Sequence, residues 1–263
     1  MQHRVEGVLF DLDGVIYDAG GVIAGAVETI TYCREQEIAH LFLTNTSSKP
    51  RSAIATRLNS LGIKVDERQI LTPPIAAAAW LSQRQWKADL YVPESTLADF
   101  TAVACSPDQI PNAVVVGDLA EQWNFALLNQ AFRQLQLTPE MELLALGMTR
   151  YWKAENGLQL DAGPFVKALE YASGKTATVM GKPARSFFEA GCSALGLLPA
   201  QCVMIGDDIA SDVDAAQQAG LVGVLIKTGK FQPDDLRSHL KPDAVLNSVA
   251  ELPDWLSETC SGT

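Results

Sequence analysis

The stretch Val8-Leu9-Phe10-Asp11-Leu12-Asp13-Gly14 constrains this chain more than any other. A short apolar run, read as a buried strand, ends abruptly in two carboxylates one residue apart and then a glycine. Strand alternation sends Asp11 and Leu12 to opposite faces and returns Asp13 to the side of Asp11. Gly14 lets the backbone turn sharply where the strand stops. Acids at the carboxyl end of a buried first strand stand where open α/β sheets bind their ligands. Alone, so short a pattern also fits a polar loop, so its meaning depends on the later segments of the chain.

Three further apolar runs end in polar clusters. His40-Leu41-Phe42-Leu43 gives way to Thr44-Asn45-Thr46-Ser47-Ser48, where hydroxyls, an amide and backbone N–H groups could cradle a phosphate. Pro50 is expected in the first turn of the helix after it, with Ser48 or Lys49 as cap. Thr178–Met180 leads into Gly181-Lys182-Pro183, and Cys202-Val203-Met204-Ile205 into Gly206-Asp207-Asp208-Ile209-Ala210-Ser211-Asp212. If all four strands lie in one parallel sheet, their ends share one edge. Between the second and third clusters the chain repeats an α/β pattern. Strands are expected over 89–92, 113–116 and 143–146, and helices over 125–135 and 164–171, which predicts a second, smaller sheet. Gly174-Lys175-Thr176 looks like the end of a P-loop, but Leu169 stands where that motif needs glycine, and a helix precedes it rather than a strand.

Composition narrows the function classes. The 263 residues carry a net charge of −11, which disfavours nucleic acid and anionic membranes as partners. Five scattered cysteines without a CxxC pattern read as reduced thiols, and with no signal peptide expected the chain is placed in the cytoplasm. No apolar run is long enough to span a bilayer. The three histidines, His3, His40 and His239, lie away from the strand ends, so neither zinc nor histidine acid–base chemistry is indicated. Clustered carboxylates repel and raise one another's pKa, a conflict that a hard divalent cation such as Mg²⁺ relieves through oxygen ligands. A carboxylate that attacks a phosphate dianion needs such neutralisation, and Lys182 would add to it.

In this order, DLDGV, the strand ending TNTSS, GKP and GDDIASD resemble the four motifs of the haloacid dehalogenase superfamily, and the insertion of about a hundred residues resembles its type IIA cap. The run from Thr149 to Pro183 most resembles the group containing haloacid dehalogenase-like hydrolase domain-containing protein 2 and phospholysine phosphohistidine inorganic pyrophosphate phosphatase. The resemblance implies a Rossmann-like doubly wound parallel-sheet core over 1–74 and 179–263, with an inserted α/β cap over 75–178. It implies a Mg²⁺-dependent phosphatase acting on a small phosphorylated metabolite. Asp11 would be the nucleophile that forms an aspartyl-phosphate, and Asp13 the general acid and then base. Asp11, Asp207 and the Asp13 carbonyl would bind the metal. Thr44, Asn45 and Lys182 would hold the phosphoryl group, with Asp208 and Asp212 supporting the metal waters and the lysine.

The cap is expected to close over the site on hinges near Pro73-Pro74 and Gly181, with Arg150, Tyr151 and Trp152 of its third strand and following loop lining a leaving-group pocket, unless those aromatics pack the cap core. The nitrophenylphosphatase relatives carry Asn-Pro-Asp where this chain reads Gly147-Met148-Thr149, so substrate preference does not transfer from them. A homodimer through the cap stays open. So do a phosphomutase or phosphotransferase on the same core and a non-catalytic phosphate sensor. A signalling receiver domain is disfavoured by the long insertion.

Overall fold

The computed structural model describes residues 5–106, 108–154 and 157–260. The chain divides into two compact units, one comprising residues 1–44, 52–71 and 182–263 and the other 45–51 and 72–181. The segment Asn45–Arg51, expected in the core, groups with the second unit.

The first unit is built on a six-stranded parallel sheet. Its spatial order is Ala244–Leu246, Val222–Ile226, Cys202–Gly206, Gly7–Asp11, Ala39–Leu43, Ile70–Leu71. Gly7–Asp11 and Cys202–Gly206 are buried along their whole length, the pattern of central strands covered on both faces. On one face Val8, Phe10, Phe42, Val203, Ile205 and Val224 pack against helices Ala26–Glu35, Arg51–Ser60 and Leu252–Cys260. On the other, helix Arg185–Ala194 approaches so closely that a Cβ on Gly191 would stand 3.2 Å from Leu9 Cδ1. Order reverses between the first strand and its two neighbours, so the carboxyl ends of Gly7–Asp11, Ala39–Leu43 and Cys202–Gly206 open at one switch point.

The second unit holds a four-stranded parallel sheet in the order Thr178–Val179, Glu142–Ala145, Ala113–Val116, Ala88–Tyr91. Alternation splits its strands between two cores. Val114, Val116, Leu143 and Ala145 face helices Phe125–Leu135 and Ala162–Ser173, while Ala113, Val115, Leu144 and Leu146 face helix Pro73–Gln83 and the 3₁₀ turn Glu94–Phe100. An antiparallel hairpin, Tyr151–Ala154 with Gly157–Leu160, forms a separate ribbon.

Several sequence expectations are corrected. Thr178–Val179 pairs with Glu142–Ala145, so the strand before Lys182 belongs to the second sheet, and only three of the four motif strands share an edge. The first strand ends at Asp11, which leaves Asp13 exposed in the turn beyond it rather than on the strand face beside Asp11. Tyr151 and Trp152 lie on the hairpin, not on the third cap-sheet strand or its loop, and are 50% and 44% exposed, so they do not fill the cap core. Pro50 precedes the helix that begins at Arg51 instead of lying in its first turn.

Candidate active site

Two of the three acids of the first unit's site are delivered by strand ends. Asp11 is the last residue of its strand, and Asp207 directly follows Cys202–Gly206. Asp212 lies in the wide π-type turn Ile209–Asp214 that opens the next helix. Asp11, Asp207 and Asp212 are 4%, 1% and 1% exposed, and one carboxylate oxygen from each falls within 4.8 Å of the others. Lys182, also buried, places its Nζ 2.6 Å from Asp11 Oδ1 and 2.7 Å from Asp212 Oδ1.

One ammonium among three carboxylates leaves the cluster short of positive charge. Burial pushes Asp11 upward against the pull of Lys182, with Asp207 adding repulsion. Burial, offset by the Lys230 N–H and reinforced by Asp212, also raises Asp207. Asp212 is raised by burial as well, against the same lysine. Lys182 moves the other way: burial would discharge it, but Asp11 and Asp212 outweigh that and keep it charged.

Asp207 is held for an unmet need. Its Oδ2 accepts the Lys230 N–H at 2.7 Å, while Oδ1 is buried with no hydrogen-bond partner. Gly14 and Gly229, both at positive φ, make room for this carboxylate, since a Cβ on either would stand 2.0 or 1.9 Å from Asp207 Oδ2. The Thr228 hydroxyl donates to the Gly14 carbonyl and ties the two loops together. An orphaned buried carboxylate oxygen beside two further carboxylates, all oxygen donors, fits a hard divalent cation. Sequence reasoning missed Thr228-Gly229-Lys230. The available signal was a small residue and a glycine one residue beyond the end of the strand Val222–Ile226.

The structure also places the other expected residues. Thr44 is buried, with its N–H on the Leu71 carbonyl at 3.2 Å. Asn45 comes next and groups with the second unit. Asp208 caps the π-type turn, accepting from Ala210 and Ser211 N–H at 3.1 and 3.0 Å; burial works against these bonds, which still hold it below the ordinary carboxylate value. It lies outside the three-carboxylate group. Tyr17, which sequence reasoning also missed, is buried, and burial first and the neighbouring Asp13 carboxylate second push its hydroxyl up to about 12.

Within the second unit, Asn45–Ser48, Asp118, Gly147, Thr149, Trp152 and Asp161 line an open cavity of about 300 Å³. Trp152 reaches it; Arg150 and Tyr151 do not line it. Asp118 and Asp161 each use one oxygen on a backbone N–H, of Ala120 and Ala162. Burial and then Asp118 raise Asp161 in spite of its bond to Ala162.

Comparison with known proteins agrees with this geometry. A haloacid dehalogenase-like hydrolase family profile matches residues 8–101, and a HAD-hydrolase-like profile matches 179–252. Human phospholysine phosphohistidine inorganic pyrophosphate phosphatase is 37% identical over 253 residues, covering 96% of this chain and 92% of that protein. Human haloacid dehalogenase-like hydrolase domain-containing protein 2 is 38% identical over 231 residues, 88% of this chain and 87% of that one. Among solved structures, the p-nitrophenyl phosphatase from Archaeoglobus fulgidus superposes with a TM-score of 0.86 at 27% identity, covering 96% of this chain and 99% of that one. The chain belongs to the haloacid dehalogenase-like hydrolases, in the branch with the type IIA cap. Within that family it is a phosphatase, a phosphoric monoester hydrolase.

Proposed function

We propose that the chain hydrolyses a small phosphorylated metabolite through an aspartyl-phosphate on Asp11, with Mg²⁺ at the buried carboxylates. The observation that carries this reading is Lys182 bridging Asp11 and Asp212 beside the unpartnered oxygen of Asp207. Neutralised from both sides, a carboxylate oxygen of Asp11 attacks phosphorus as the bond to the leaving oxygen breaks. Asp13, exposed at the turn, gives its proton to that oxygen. Asp13 then takes a proton from water, which attacks phosphorus and releases Asp11 and inorganic phosphate. Lys182, Thr44 and Asn45 hold the non-bridging oxygens. Asp11, Asp207 and the Asp13 carbonyl would hold Mg²⁺, which supplies charge neutralisation for the attack on a dianion. Asp208 and Asp212 support the lysine and the metal waters.

The second unit is read as the cap that selects the leaving group. Its cavity of about 300 Å³ admits a small molecule, and the carboxylates of Asp118 and Asp161 disfavour further anionic groups there.

A cation that relieves the carboxylates stabilises the folded state by mass action. Millimolar Mg²⁺ is therefore expected to raise the melting temperature of the wild-type protein, and Asp207→Asn is expected to remove most of that rise, both read by differential scanning fluorimetry. An equal rise in the two proteins would place the ion elsewhere. Activity is tested by phosphate release from a panel of phosphate monoesters with Mg²⁺. Asp13→Asn is expected to lower kcat/KM, which reads the transfer to Asp11, on the order of 10²-fold for alkyl phosphates but far less for nitrophenyl phosphate, because that leaving group scarcely needs a proton. Equal losses on both would assign Asp13 a structural role.

A further inference from the structure

An exposed aspartate in a turn has several rotamers open to it, yet a general acid works only when its proton is aimed at the leaving oxygen. Asp13 is such an aspartate, and the local backbone gives it a fixed neighbour. Asp13 and Tyr17 form an isolated β-bridge. The Gly14 N–H donates to the Tyr17 carbonyl at 2.8 Å, and the Ile16 and Tyr17 N–H groups converge on the Leu12 carbonyl at 2.9 and 3.2 Å. This small closed loop sets residue 17 beside residue 13. The Tyr17 side chain is 3% exposed, and the Asp13 carboxylate lies near enough to its hydroxyl to help push it upward, after burial. The guanidinium of Arg57 lies 3.9 Å from the ring centroid, so the ring is held by a cation on its face as well as by the core.

We propose that Tyr17, steadied by Arg57, is a positioning residue that fixes the carboxylate of Asp13 for proton transfer. The inference rests on the phosphatase reading. A phenol suits the task because it donates a hydrogen bond without adding charge to an already acidic site. A hydrogen bond from it to one oxygen of Asp13 would leave the other to carry the transferred proton, and the tyrosine proton itself does not move. Arg57, on helix Arg51–Ser60, connects this arrangement to the helix that comes after the Thr44 strand end.

The test uses Tyr17→Phe, which keeps the ring, its burial and the Arg57 stack while removing only the hydroxyl. With an alkyl phosphate kcat/KM is expected to fall about tenfold, and with nitrophenyl phosphate kcat/KM is expected to change less than about twofold. Arg57→Met, a surface change that keeps the aliphatic stem, is expected to show the same split at about threefold. In an Asp13→Asn background, Tyr17→Phe is expected to cost nothing further, since the two act as one unit. Equal losses on both substrates, no loss on the alkyl phosphate, or full additivity with Asp13→Asn would overturn the proposal while the phosphatase reading stands. A wild-type protein that releases no phosphate from either substrate would overturn both.

Discussion

Asp11→Asn is expected to abolish phosphate release while leaving the fold intact. The amide matches the carboxylate in size, so the buried end of the Gly7–Asp11 strand keeps its packing. What disappears is the attacking charge, and covalent catalysis has no second nucleophile to fall back on in this site. The change also removes one of the carboxylates that repel Asp207, and with it part of the burial conflict. Stability should therefore hold or rise slightly even as turnover falls by at least about 10³-fold. Thermal melting and phosphate release on the same preparation separate the two effects. A folded variant with near-wild-type turnover would remove Asp11 from the chemistry.

The second large effect is expected from Lys182→Met. Methionine fills a similar volume, so the loss is electrostatic rather than steric. The ammonium pairs with Asp11 and Asp212 at 2.6 and 2.7 Å, and all three side chains are at most 6% exposed. Breaking a buried ion pair by removing one partner costs about 3–5 kcal/mol, because the surviving charges stay buried. Against a typical domain stability of roughly 5–15 kcal/mol, that is a large fraction. Activity should fall on the order of 10²–10³-fold through loss of charge stabilisation at the phosphoryl group. Added Mg²⁺ should recover part of the melting temperature but little of the activity, since it relieves the carboxylates without replacing the lysine at the phosphoryl oxygens. Unchanged stability in the absence of Mg²⁺ would mean that the carboxylates do not depend on Lys182 for their charge balance.

Much of the catalytic unit was legible in the sequence because its signals are local. Apolar runs that stop at acids mark the ends of Gly7–Asp11 and Cys202–Gly206, and the structure brings Asp11, Asp207 and Asp212 into one group there. Harder to read was anything set by pairing between distant segments. Thr178–Val179 reads as a strand, but only its partner Glu142–Ala145 decides which sheet it joins. Lys182, expected beside Asp11 from its place after a strand, reaches it across 171 residues of sequence and pairs with Asp212 as well. The support of Asp207 by Gly14, Gly229 and Lys230 was hidden for the same reason, since two loops more than two hundred residues apart meet around one carboxylate. Tyr17 escaped notice because a single tyrosine in a glycine-rich turn has no periodicity. The exposure of Tyr151 and Trp152 was equally unreadable, as aromatic residues at strand spacing usually pack inward.

The central claim, that phosphate passes through a covalent bond to Asp11, has a direct measurement. Asp13→Asn protein, in which hydrolysis of the intermediate is slowed, is mixed with nitrophenyl phosphate and Mg²⁺, quenched within one turnover and reduced with borohydride. Peptide mass spectrometry then reads residue 11. Reduction of an acyl phosphate converts its aspartate to homoserine, and the account predicts that conversion at residue 11 alone, in proportion to the nitrophenol released. Nitrophenol release with residue 11 unmodified, or with the modification on another side chain, would contradict it.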